Sequence, residues 1–350
     1  MTVHFVYAVP RLRRVRGLSR SLAKYDLARQ RLRLPPSYRF GWLPGLPVPL
    51  AAPYSITVNL LHFLRQKLRC KLYDWQEHGG IPYGPDDVVL GHPHPDPSTV
   101  VQQAFFSGRP CRAKVLVLPI HHALASVNEY VLPLLDRADM VLGIMGPYWY
   151  DTLGDSFLAP WQHKIVRLDM AINAREYPSV KHQFNAPGSR GFLHIGYNVP
   201  EKGPEVLAAT MERLPEFRKG WIGAGDEIAF VPRIASYAAL TPEYVGKLAG
   251  MYDIFVNTSV SDANPTTILE AMAWGFPVAC TPQSGYYNMP SLMPLSTTDI
   301  DANARTLTEM QYASNEQLQQ LSAVNRSLVE THYTWDRFCN AVWQTLQKYL

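Results

Sequence analysis

Residues Asn257 to Thr281 read NTSVSDANPTTILEAMAWGFPVACT, and the reading of this stretch decides the fold. The apolar run Ile254-Phe255-Val256 just before it suits a buried strand, and a polar loop follows. Asn264-Pro265 then offers an N-cap residue and a proline at the first helical position, where the missing N–H costs nothing. Ile268, Leu269, Met272 and Ala273 recur at helical spacing. Gly275 is placed to stop that helix in a left-handed cap, Pro277 prevents its resumption, and Val278-Ala279-Cys280 reads as the next buried strand. A strand–loop–helix–strand order puts the helix N-terminus at the carboxyl edge of a parallel sheet, where such sheets bind ligands. The free N–H groups around Thr266 and Thr267 favour a phosphate there. Asp262 precedes the helix and Glu270 follows eight residues later, two acids suited to accept hydrogen bonds from sugar hydroxyls. The same spacing also fits an ordinary β-α-β unit carrying two solvated acids.

The stretch resembles the signature of the retaining GT-B glycosyltransferases of family 4: a Glu, seven residues, then Glu-Ala-Met-Ala-x-Gly-x-Pro-Val. Glu270-Ala271-Met272-Ala273, Gly275, Pro277 and Val278 match it, while the first acid is Asp262. The resemblance implies that Asp262 meets the donor sugar and Glu270 the nucleotide ribose. Upstream, Gly196-Tyr197-Asn198-Val199-Pro200-Glu201-Lys202-Gly203 is similar to the family's Gly-Arg-x-x-x-x-Lys-Gly loop, whose basic residues neutralise the donor diphosphate. Lys202 is retained, and Tyr197 stands where the family has arginine. Trp221-Ile222-Gly223-Ala224-Gly225 resembles the family's strand ending in a glycine pair beside the base. The resemblance also implies a histidine near the transferred sugar, after a strand of the first half. Val115 to Pro119 followed by Ile120-His121-His122 has that placement, with His121 the best match.

The implied architecture is α/β, with two Rossmann-like domains facing a central cleft and a C-terminal helix crossing back to the N-terminal domain. Residues 1–172 with the last helix (about 334–350) are expected to form the acceptor domain, and residues 173–333 the nucleotide-sugar domain. Asn173 to Arg190, with two prolines and scattered polar residues, reads as the linker. Short apolar runs at Val3–Val9, Val88–Leu90, Val115–Leu118, Met140–Ile144 and Ile165-Val166 supply strands of the first half, and Phe192 to Ile195 restarts the alternation.

At 350 residues, 47% hydrophobic and 18% charged, the composition is that of a globular protein long enough for two domains. The four cysteines have neither CxxC nor zinc-like spacing and read as reduced, cytosolic thiols. The opening apolar run is short and is followed, not preceded, by arginines, so no secretory signal is expected. Charge is uneven. Residues 1–168 carry 20 Lys/Arg and 11 Asp/Glu, a net +9, and residues 169–350 carry 13 and 18, a net −5. Ten basic residues between Arg11 and Arg39 face one acid, Asp26, across an expected helix at Leu18–Leu34. Phe40 to Leu64 holds no charged residue; its prolines argue for an apolar loop to Pro53 and a helix over Ile56–Lys67 rather than a membrane span.

The family's glycine-rich first turn is replaced by Pro10-Arg11-Leu12-Arg13-Arg14, and Arg11, Arg13 and Arg14 are assigned to the acceptor. Donor contacts are assigned to Gly196, Tyr197, Lys202, Gly225, Asn264, Thr266, Thr267 and Glu270, and catalysis to His121, Asp262 and Glu270. The expected partners are a nucleotide sugar and a carbohydrate or lipid-linked acceptor, with peripheral contact to an anionic membrane and no nucleic acid. No metal or other cofactor is expected, because no Asp-x-Asp triplet occurs. Gly91-His92-Pro93-His94-Pro95-Asp96 offers the one alternative, a metal held by two histidines and an acid. Two other readings compete: a weakly active GT-B protein that binds a glycan or partner, and an NAD-dependent oxidoreductase. The latter lacks a Gly-x-Gly-x-x-Gly after the first strand.

Overall fold

The computed structural model describes residues 1–9, 52–123, 129–238 and 240–350. Two six-stranded parallel sheets follow one another along the chain. The first comprises β1 (Val3–Tyr7), β2 (Cys70–Asp74), β3 (Val88–Gly91), β4 (Ala113–Pro119), β5 (Met140–Ile144) and β6 (Ile165–Leu168), in the order β2-β1-β3-β4-β5-β6. The second comprises β7 (Phe192–Ile195), β8 (Lys219–Ile222), β9 (Arg233–Ala235), β10 (Ile254–Asn257), β11 (Val278–Cys280) and β12 (Leu292–Pro294), in the order β12-β11-β10-β7-β8-β9. Chain order reverses between β1 and β3 in the first sheet and between β7 and β10 in the second, and ligands of open parallel sheets bind at such switch points.

The inner strands β1, β3, β7, β10 and β11 are buried along their whole length and largely apolar, as helices on both faces require. Helix α1 (Ala52–Lys67) starts four residues before the expected helix, with Pro53 in its first turn, where a missing N–H breaks no bond. The expected helix at Leu18–Leu34 and nearly all of the expected loop at Phe40–Pro53 lie outside the described residues. The short helices α2 (Val100–Phe106), α3 (Leu132–Arg137) and α4 (Pro147–Asp151) complete the first half. The second carries α5 (Pro204–Glu212), α6 (Pro242–Met251), α7 (Thr266–Trp274), α8 (Ile300–Tyr312) and α9 (Asn315–Thr331).

The last helix, α10 (Trp335–Leu346), crosses back and packs on α1. Leu60 and Leu64 of α1, Val342 and Leu346 of α10, and Leu269 and Met272 of α7 belong to one continuous apolar cluster. The segment read as a linker is tied down rather than free. Lys181, buried, donates to Asp253 at 2.7 Å, and Asp253 also accepts from Asn185 and from the Gly191 amide. Among the described residues no helix is long and apolar enough to cross a membrane.

Candidate active site

The site grows from the two loops at the switch point of the second sheet. The loop after β7 turns at Gly203, whose φ of +62° lies in the left-handed region and whose Cβ position is occupied by the Thr258 carbonyl. Only glycine lets that loop lie against the loop after β10, and the contact is sealed by Val260 and Ser261 amides donating to the Glu201 carbonyl at 3.0 and 3.1 Å. Lys202 is thereby set beside Asp262, and the two form an ion pair, each partly exposed at 25% and 17%. Gly196 and Gly225 hold the neighbouring loops together. The Asn198 amide donates to Ala224 at 2.8 Å, and Gly225 turns at φ +114° against Asn198.

Helix α7 departs from the expected capping. Its cap is Pro265, with no side-chain hydrogen bond, and the first helical residue is Thr266. Asn264 Oδ1 is drawn away because it accepts from the Met170 amide at 2.6 Å, a buried bond to the crossover between the sheets. Its Nδ2 is buried and finds no partner among the described residues, like Ser259 Oγ on the same loop and Gln283 Oε1 just after β11. Buried polar atoms are normally satisfied, so these three are exceptions close in sequence to Asp262 or paired to its loop. The helix ends at Gly275 with φ +91°, the left-handed cap read from the sequence.

Glu270 lies one turn into α7, where Thr266 and Tyr177 hydrogen-bond its carboxyl. Burial outweighs those bonds and pushes Glu270 up to about 7. Tyr177 reaches it from the crossover segment, its ring edge-on to Trp274 at 5.8 Å.

The first sheet contributes His121, after β4. It is buried against Trp149, with ring centroids 5.2 Å apart, and its Nε2 lies 3.5 Å from Ser261 Oγ. Burial lowers its basicity, partly offset by the charge of Asp262. The Ala123 amide donates to Nδ1 at 3.4 Å. Trp149 Nε1 donates to the Asp262 carbonyl at 2.6 Å, fixing the acid's backbone from across the cleft. The Gly146 amide donates to Ala263 at 3.0 Å and the Tyr148 amide to Gly285 at 3.4 Å, an approach that a Cβ on Gly146 or Gly285 would block.

His121, Lys202 and Asp262 are thus brought together, with Asn264 beside them and Glu270 farther along α7. Tyr197 is 62% exposed, Thr266 and Thr267 stand at the helix start, and Arg11, Arg13 and Arg14 lie outside the described residues. Ser261, Trp149, Gln283 and Tyr177 were not anticipated. The Gly-Pro-Tyr-Trp run after a strand was the available signal for Trp149. The metal alternative at His92, His94 and Asp96 does not assemble: among the described residues no three His, Cys, Asp or Glu side chains are grouped to hold an ion. Asp96 is spent on Ser98, at 2.9 Å to the amide and 2.7 Å to the hydroxyl.

No family model matches the sequence. A segment of 110 residues is 29% identical to the sulfoquinovosyl transferase SQD2 of Arabidopsis thaliana, covering 29% of this chain and 21% of that protein. The chain therefore matches about a fifth of that relative's length. Among solved structures, a trehalose-6-phosphate synthase studied for glycosyl transfer with retention superimposes over 99% of both chains at a TM-score of 0.58 and 12% identity. The pneumococcal O-GlcNAc transferase GtfA, solved with UDP and GlcNAc, gives a TM-score of 0.53 at 15% identity over 76% of this chain and 57% of its own. The chain has the GT-B fold: two parallel α/β halves facing one cleft, with the last helix returned to the first half.

Proposed function

We propose that the protein is a retaining glycosyltransferase moving a sugar from a nucleoside-diphosphate sugar to a carbohydrate or lipid-linked hydroxyl. The observation that carries this reading is the β7/β10 switch point, where Lys202 pairs with Asp262 and His121 reaches Ser261 from the first sheet. Lys202 and the N–H groups at Thr266 and Thr267 take the diphosphate, whose charge grows as it leaves. In the free protein Lys202 is paired with Asp262, so the arriving diphosphate draws the lysine away and releases the acid for sugar hydroxyls. Glu270 accepts the ribose hydroxyls. His121 meets the transferred sugar from the opposite wall. Charge compensation by the helix end and Lys202 makes the transfer independent of a divalent metal; activity abolished by EDTA and restored by metal overturns that point.

Residues 1–172 with the last helix serve the acceptor and residues 173–333 the donor. The arginines Arg11, Arg13 and Arg14 serve an acidic or lipid-linked acceptor. Each basic residue adds about 1 kcal/mol of attraction to an anionic leaflet, so liposome sedimentation of the triple neutralised variant checks this part.

The whole reading is tested by thermal shift and turnover with a panel of nucleotide sugars. A donor at 100 times its dissociation constant stabilises by about 2.7 kcal/mol. A shift with slow hydrolysis or transfer supports an enzyme, a shift without turnover a binding module, and no shift with any nucleotide sugar overturns the proposal.

A further inference from the structure

The Gly91–Asp96 stretch has no part in the donor crevice, yet it stands at the other switch point, between β1 and β3. Ligands of such sheets bind there. Three adjacent strands deliver aromatic rings to this spot. The Trp75 amide donates to the Tyr7 carbonyl at 3.1 Å and the His92 amide to Val6 at 2.9 Å, so both residues continue the ladder beside the end of β1. Trp75 then lies parallel to Tyr7 at 6.5 Å and edge-on to His92 and His94 at 4.8 and 5.8 Å.

The loop is rigid and its internal valences are taken. Asp96 binds Ser98, the Thr99 hydroxyl donates to the Asp96 carbonyl at 2.8 Å, and Gln102 donates to the His94 carbonyl. His92 Nδ1 donates to the Pro93 carbonyl at 2.6 Å, which leaves Nε2 as an acceptor with no hydrogen-bond partner among the described residues. Burial keeps that ring neutral, lowering it to about 4. His94 Nδ1 accepts from the Asp96 amide at 3.1 Å, which puts the proton on its Nε2. Both histidines and Trp75 are half-buried. The patch therefore presents an aromatic surface flanked by one acceptor and one donor.

We propose that Trp75, His92 and His94 form a subsite for one sugar ring of the acceptor. The apolar C–H face of the sugar packs on the Trp75 indole, while two of its hydroxyls, each able both to donate and to accept, meet His92 Nε2 and His94 Nε2–H. Adjacent strands are about 5 Å apart, and β3 neighbours β4, which His121 follows. An acceptor seated here therefore runs along the carboxyl edge of the first sheet toward the reaction centre. The assignment deepens the glycosyltransferase reading, and it is tested without turnover so that the two can fail separately.

Saturation-transfer NMR on the full chain with methyl hexosides and methyl N-acetylhexosaminides, no nucleotide present, should show binding of at least one sugar. Trp75→Ala should weaken it about tenfold and Trp75→Tyr should retain most of it. His92→Phe should lose hydroxyl discrimination among epimers while the fold, followed by circular dichroism, persists. Undiminished binding in folded Trp75→Ala, or no sugar bound by the wild type, overturns the subsite. Because no nucleotide is present, donor binding that persists beside either result leaves the transferase reading standing.

Discussion

At the scale of single residues, Glu270 and Lys202 carry the sharpest expectations. Burial holds Glu270 up to about 7, above the 4.5 of an exposed glutamate. The folded protein therefore keeps a proton that the unfolded chain has lost. Stability from this group is highest below about pH 4.5 and falls as pH rises through about 7. Glu270→Gln should be the more stable protein above about pH 7, by up to about 3 kcal/mol, in urea unfolding at matched pH. The cost buys an acceptor: nucleotide-sugar affinity should rise with pH through about 7 in the wild type and stay flat and weak in Glu270→Gln, as calorimetry would read. For Lys202→Ala, nucleoside diphosphate binding should fall by about 1.5–3 kcal/mol while the free nucleoside binds as before. Equal losses for both ligands would remove Lys202 from the phosphate site.

At the scale of elements, what was legible in the sequence follows burial. The inner strands β1, β3, β4, β5, β7, β10 and β11 are apolar runs, because a strand covered on both faces can be little else. The unread β2, β9 and β12 are all edge strands, carrying residues such as Lys71, Arg233 and Pro294 that solvent tolerates. The helix α7 was legible from Pro265 to Gly275, but its cap was not. Asn264 is an ordinary N-cap residue by type, and only the fold shows that the Met170 amide claims it. Likewise Trp149 and Gln283 enter the site through tertiary contacts that no local spacing encodes. Gly203→Ala tests the loop pairing directly. A side chain there meets the Thr258 carbonyl in a left-handed turn, and the variant should lose about 1–3 kcal/mol by calorimetry and bind donor more weakly. Lys181→Met leaves Asp253 buried without its cation and should cost about 3–5 kcal/mol in chemical denaturation.

At the scale of the molecule, the two halves share one apolar cluster and one returning helix. Removal of residues 334–350 would bare the face of α1 on which α10 packs. The truncated chain should lose the first half to limited proteolysis well before the second, whose Lys181–Asp253 and Arg190 anchors are internal to it. The cleft itself is stitched by the amides of Gly146, Tyr148 and Met170 and by the Trp149 indole, each donating to the opposite half. Those N–H groups can trade their protons for deuterons only in the moments when the halves part. Their exchange rates are thus a clock for cleft opening, readable amide by amide in the resting protein.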